Sequence, residues 1–219
     1  MKIAYLLLAA GASKRFGSVK QIVPIYSQHK AVTALHSTLL INKAIDNLLK
    51  ISADCYQDIY IAVGGNKEQV VPKIEFASNI EGSQLRPNAI NILTVEHWQQ
   101  GIGQSISESV NTITQKNYSH ICMVLADLVA LTYDDLLNLK QASLNAPDNI
   151  IAACYQQIVG VPAIFPKWCF NNLCALRGDI GAKRLIKQYA EKTVTVAIPN
   201  AAIDIDTPAD LHRWSTSTQ

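Results

Sequence analysis

Ile3–Gln21, IAYLLLAAGASKRFGSVKQ, is the stretch whose reading decides the fold. Its first seven residues, Ile3 to Ala9, form an apolar run of strand length, and small residues follow: Ala10, Gly11, Ala12 and Ser13. Then come Lys14 and Arg15, and beyond them Gly17 and Lys20. Gly11 and Gly17 let the chain turn tightly and bring backbone N–H groups toward one point, a geometry that cradles phosphate. Arg15 adds a planar fork of donors and Lys20 a mobile point charge. The expectation is a buried strand that ends in an anion-binding loop. Neither G-x-x-x-x-G-K-[ST] nor G-x-G-x-x-G fits, because Ser18 follows Gly17 and Ala12-Ser13 break the second pattern. The same loop also reads as an ordinary strand-to-helix turn with solvated basic residues.

Met1-Lys2, the apolar run and Ala10-Gly11-Ala12 together have the outline of a secretory signal. Lys14 and Arg15 follow at once, and five cysteines without paired spacings do not form an extracellular disulfide framework, so the expected location is the cytoplasm with reduced thiols. At 219 residues, 49% apolar and 16% charged, the chain is expected to form one α/β domain spanning 1–219. No run approaches the ~18 apolar residues of a membrane helix. A net charge of +2 without a basic block argues against a nucleic-acid surface. No C-x-x-C or H-E-x-x-H spacing supports a zinc site.

Further along, Ile22–Tyr26 is a short apolar piece, 27–37 a polar connection, and Leu39, Leu40, Ala44, Ile45, Leu48 and Leu49 recur at helical spacing with Ser37 and Thr38 as candidate caps. Strands are expected over Asp58–Val63, Ala89–Val95, Tyr118–Ala126, Ile150–Tyr155, Gly160–Phe165 and Thr193–Ile198. Pro162 argues that the fifth of these lies at an edge or starts late. Helices are expected over 66–73, from Ser105, over 132–144, 168–176 and 182–189, and from Ala209, with Pro208 in the first turn. Gly82 and Pro87 mark a loop. Alternation of strand and helix predicts a Rossmann-like, mostly parallel sheet with helices on both faces.

Three features converge on one chemistry. The basic glycine loop suits a polyphosphate, and Asp127, at the end of the most apolar strand, stands with Asp204/Asp206 as a source of hard oxygen ligands for Mg²⁺. Glycine loops at Gly64 and at Gly101–Ser105 suit a nucleobase or substrate, the second by leaving helix N–H groups open. Each has a plainer counterpart: Asp127, Asp179 and Asp206 as helix caps, Ser13 and Ser105 as turn residues. No His and acid partner marks either serine as a nucleophile.

LLLAAGASKRFGSVKQ, VEHWQQGIGQS, VLADL, GVPAIFP, LRGDIGAKRLI and DIDTPADL resemble, in this order, the nucleotidyltransferase family that includes molybdenum cofactor cytidylyltransferase and its guanylyltransferase relative. The resemblance implies the nucleotide-diphospho-sugar transferase type of fold. It implies that the Leu8-Ala9-Ala10-Gly11 backbone, with Ser13, Gly64, Gly101 and Ser105, surrounds the nucleotide. Arg15 and Lys20 would grip the triphosphate, Asp127 and Asp206 would hold Mg²⁺, and Gly178-Asp179 would lie near the acceptor. Ala9-Ala10, where guanylyltransferases tend to have two glycines, resembles the cytidylyl branch and implies CTP. The implied acceptor is a phosphorylated small molecule such as molybdopterin, with a client molybdoenzyme as a further partner. The chain departs from the pattern at Val129, where the family often has Pro, and at Val159 and Val161, where Arg and His are usual. Cytidylyl or uridylyl transfer to a sugar or polyol phosphate, and a non-catalytic nucleotide-binding regulator, stay open beside the first reading.

Overall fold

The computed structural model describes residues 1–26, 37–53, 57–74 and 90–217. From the N-terminus, strand β1 (Ile3–Ala9) leads through the glycine loop to the short pair β2 (Pro24–Tyr26) and β3 (Ser37–Leu39), then helix α1 (Leu40–Ala53) and β4 (Ile59–Val63). Helix α2 (Lys67–Val70), β5 (Ile90–Thr94), α3 (Ile102–Thr114), β6 (His120–Leu125) and α4 (Tyr133–Asn145) follow. The second half holds β7 (Ile150–Tyr155), β8 (Ile158–Pro166), α5 (Phe170–Cys174), α6 (Ala182–Gln188), β9 (Thr193–Ala197) and α7 (Pro208–Ser217).

Seven strands form one sheet in the order β5-β4-β1-β6-β8-β7-β9, parallel at every junction except those of β8, which runs against both neighbours. β1 lies between β4 and β6, no residue of it more than 8% exposed. The apolar start of the chain is therefore consumed by the sheet as a central strand. Side chains alternate across a strand, so β1 feeds two cores. Tyr5 and Leu7 join Ile41, Ile45 and Leu48 of α1 and Leu136 and Leu139 of α4. Leu6 and Leu8 join Ile106 and Val110 of α3, Leu173 of α5 and Ile186 of α6. Burying such side chains is worth about 1.5–3 kcal/mol each, which explains why this run carries no polar alternation.

Three expectations change. Ser37 and Thr38 do not cap α1: they pair with Tyr26 and Ile25 in the β2–β3 ladder, and the first helical N–H, at Leu40, donates to the Val23 carbonyl. Pro162 does not mark an edge. β8 lies between β6 and β7, and the register shifts at Ala152/Ala153, so that Ala163 and Gly160 find partners while Val161 and Pro162 fall in the bulge, where no ladder donor is needed. The caps at the later helices are not the aspartates suspected. Thr132 and Asp135 close a reciprocal capping box on α4, and Thr207 accepts from the Asp210 N–H at α7. The 27–36 connection and the Gly82–Pro87 loop lie outside the described residues. Among the described residues no helix is long and apolar enough to cross a membrane.

Candidate active site

The C-terminal ends of β1 and β6 meet at one cleft, where open α/β sheets bind ligands. The glycine loop is held in shape by Gln21, only 4% exposed, which sequence reasoning passed over as a site residue. Its Nε2 donates to the carbonyls of Ala9 (3.0 Å) and Gly11 (2.9 Å), and its Oε1 accepts from the Ser13 hydroxyl (3.1 Å). Ser13 Oγ in turn accepts from the Lys20 N–H at 3.2 Å. The tight turn is made by Ser13 (φ 54°) and Gly17 (φ 78°), while a side chain at Gly11 would meet nothing within 4 Å, leaving that point open to the cleft.

Lys20 sits at the centre. Its Nζ donates to Asp127 Oδ2 at 2.9 Å and to Asp206 Oδ1 at 2.8 Å, and Arg15, whose side chain is 77% exposed, reaches the other oxygen of Asp206 at 2.9 Å. Burial alone would lower the Lys20 pKa, but the two carboxylates outweigh it and hold it above the ordinary lysine value. Asp204 is pushed up, first by burial and then by the charges of Asp127 and Asp206. Tyr155, which sequence reasoning also missed, is raised by burial and by Asp204 and Asp127. Asp127 Oδ1 is buried without a hydrogen-bond partner. A small core beneath the cleft joins the three contributing segments: Phe16 from the glycine loop, Val129 from the turn after Asp127, and Ile205 beside Asp206.

Two adjoining clefts open here. One, of about 220 Å³, is lined by Leu8, Ala9, Gly11, Ser13 and the charged set Lys14, Arg15, Lys20, Asp127 and Asp206. The other, of about 320 Å³, runs from Ala10, Gly11 and Lys14 past Trp98 and Gly101 to Ser105 and Asp179. Asp127 borders both.

Gly64 lines neither cleft. It makes room for Trp98: a Cβ there would come within 2.5 Å of the Ala10 carbonyl oxygen and 2.8 Å of Trp98 Cγ. Gly101 (φ 105°) and Gly103 let residues 177–180 pack on the start of α3, and the Gly103 N–H donates to the Gly178 carbonyl at 2.8 Å. That N–H is therefore not open to a ligand, in contrast to the expectation for this loop. Asp179 does not cap α6, whose first turn has no side-chain cap, and its Oδ1 faces Gly101.

Asp127 and Asp206, with Asp127 Oδ1 left without a partner, are hard oxygen donors of the number a divalent cation takes alongside phosphate oxygens, and Lys20 and Arg15 supply their counter-charge in this structure. Among the described residues no group of three or more His, Cys, Asp or Glu side chains stands in a metal-holding arrangement.

Residues 5–193 match the model of the MobA-like NTP transferase domain. The purine catabolism protein PucB of Bacillus subtilis is 26% identical over 221 residues, covering 96% of both chains. Among solved structures, the Mycobacterium sp. JC1 homologue of Rv0371c aligns with a TM-score of 0.73 at 22% identity, covering 100% of this chain and 98% of that one. Rv0371c of Mycobacterium tuberculosis, in complex with manganese, aligns at 0.70 and 18% identity, covering 99% and 98%. These structures share the fold described above.

Proposed function

Because the chain belongs to the MobA-like NTP transferase family, we propose that it transfers a nucleoside monophosphate from CTP to a phosphorylated small-molecule acceptor, with Mg²⁺ as metal and molybdopterin as the first acceptor to test. An oxygen of the acceptor phosphate attacks the α-phosphorus in line, the bond from that phosphorus to the bridging oxygen breaks, and pyrophosphate leaves. The acceptor brings the nucleophile, so the protein's work is positioning and charge.

The observation that carries this reading is the Lys20–Asp127–Asp206 cluster at the mouth of the glycine loop. Lys20 is held protonated and Arg15 extends from the same rim, so both offer full positive charge to a triphosphate. Asp127 and Asp206 are the residues that would hold the metal, which when bound polarises phosphoryl oxygens and neutralises charge that builds on the leaving group. The manganese complex of Rv0371c supports a divalent ion of this type. Leu8, Ala9, Ala10 and Gly11 lead into the cleft that ends at Ser105 and Asp179, which would take the nucleoside, and Ala9-Ala10 supports CTP by resemblance. We assign the activity to the whole chain, 1–219, acting in the cytoplasm, with a molybdoenzyme as recipient of the product.

A second acceptor class is favoured by Val159 and Val161, which cannot make the polar contacts of the Arg and His usual there. On that reading the acceptor is a sugar or polyol phosphate. The test measures pyrophosphate release with each of the four ribonucleoside triphosphates, Mg²⁺ and a panel of molybdopterin, sugar phosphates and polyol phosphates. Release confined to CTP and molybdopterin supports the first reading, and release with a sugar or polyol phosphate the second. Nucleotide binding with no release on any acceptor refutes the enzyme and leaves a nucleotide-binding regulator.

A further inference from the structure

One half-buried cation takes no part in the cluster described above. Lys43 of α1 packs beneath the turn that follows Asp127, and no carboxylate among the described residues pairs with it. Its Nζ donates to the Val129 carbonyl and lies 5.7 Å from the centre of the Trp214 ring. Burial, and then the nearby Lys50, lower its pKa. Burying an ammonium without a counter-charge is costly unless its donors are used well. One helical turn on, Asn47 Nδ2 donates to the Leu131 carbonyl at 2.8 Å. Two side chains on one face of α1 thus grip alternate carbonyls of a single turn.

That turn decides where Asp127 points. The Asp127 carbonyl accepts from the Val129 N–H at 2.8 Å and from the Ile205 N–H at 3.0 Å, so residue 129 and the strand end before Asp206 are tied to the same atom. Val129 is 1% exposed, against Phe16, Ile25, Leu40 and Ile205. A proline at this position would stiffen the turn through its ring and would lack the N–H that closes it here. With valine there, stiffness comes from outside the turn.

We propose that Lys43, assisted by Asn47, is a positioning residue that clamps the Asp127 turn, so that Val129 marks an alternative way of fixing the metal-binding carboxylate rather than a lost activity. The turnover arm of this inference rests on the nucleotidyl-transfer reading. Its structural arm does not.

The test compares Lys43→Met, Asn47→Leu and Lys43→Arg with wild type, and uses Asn42→Ala as control because Asn42 bonds the Lys73 carbonyl, away from the cleft. Amide hydrogen exchange across residues 126–132 reads the clamp directly. Lys43→Met is expected to speed it about tenfold and Asn47→Leu about threefold, with Lys43→Arg, which keeps a donor, close to wild type. In electron paramagnetic resonance titrations, Mn²⁺ affinity should fall about tenfold in Lys43→Met, and turnover should show a fall in kcat with an unchanged KM for the triphosphate. Asn42→Ala should leave exchange at 126–132 and Mn²⁺ affinity unchanged even where it lowers Tm. Unchanged exchange at 126–132 in both Lys43→Met and Asn47→Leu overturns the clamp, as does wild-type Mn²⁺ affinity in Lys43→Met. Should Lys43→Met fail to fold, Asn47→Leu decides by the same two readouts. A wild-type protein that binds no Mn²⁺ and turns over no triphosphate sinks the proposed function instead, and exchange still decides the clamp.

Discussion

Replacing Asp127 by asparagine separates a stability role from a catalytic one, because the two have opposite magnitudes. The substitution keeps shape and an acceptor oxygen for Lys20 but removes a charge 2.9 Å from its Nζ. In a medium of effective dielectric constant near 20 a unit charge pair at about 4 Å is worth about 4 kcal/mol gross. Three features shrink the net loss. The Asp127 and Asp206 side chains are 21% and 28% exposed and so partly screened, Lys20 keeps Asp206, and the mutual repulsion that raises Asp204 is relieved. The expected net change is within about 1 kcal/mol, a Tm shift of at most about 4 °C for a chain of this size. The ligand effect is larger. At a hundred times its dissociation constant a metal–triphosphate complex adds about 2.7 kcal/mol, about 5–10 °C. Differential scanning fluorimetry with CTP, with and without Mg²⁺, should show that increment in wild type and its loss in Asp127→Asn, with turnover lowered by about a thousandfold. A variant with the full ligand shift, or with wild-type pyrophosphate release, would falsify the assignment of Asp127.

Arg15→Met should cost little stability, under about 1 kcal/mol, since the guanidinium is mostly solvated, yet raise the triphosphate KM about tenfold or more in steady-state assays. Gly101→Ala should lose about 2 kcal/mol or more, read as a lowered denaturation midpoint, because φ is 105° and the new Cβ would stand 2.5 Å from the Gly178 carbonyl group. His120 is buried, with Nε2 bonded to the Pro147 carbonyl, and burial lowers its pKa below the ordinary 6.5. Its contribution to stability is therefore complete above pH ~6.5 and declines as the pH falls below that value, because the unfolded chain then binds the proton first. Thermal midpoints between pH 7.5 and 5 should fall less steeply in His120→Gln than in wild type, and equal slopes would exclude His120 as a source of the acid loss.

The sequence by itself determined the sheet and its cleft. Seven consecutive apolar residues bounded by small and glycine residues suit a strand covered on both sides, and a glycine-bearing basic loop directly after it lies, by the geometry of parallel sheets, at the ligand end. Asp127 was legible for the same reason, as the residue that ends the most apolar strand. What stayed hidden depends on residues far apart in the chain. That Asp127 and Asp206 share Lys20 rests on contacts across 107 and 186 positions, which no local pattern encodes. Whether each aspartate caps a helix was equally undecidable locally, since a carboxylate near a helix start satisfies the composition rule wherever it points. The structure gives those N–H groups to Thr132 and Thr207 and leaves the aspartates to the cleft. Gln21 and Lys43 look like ordinary polar residues of a loop and a helix, and only folding shows them spending their donors on carbonyls of the two turns that shape the site. Pro162 was misread because strand propensity assumes a regular ladder, and the bulge that accommodates it is a property of the paired strand. Local periodicity determined which segments are buried, and tertiary packing decided which polar groups meet, because hydrogen-bond and charge partners are chosen in space rather than along the chain.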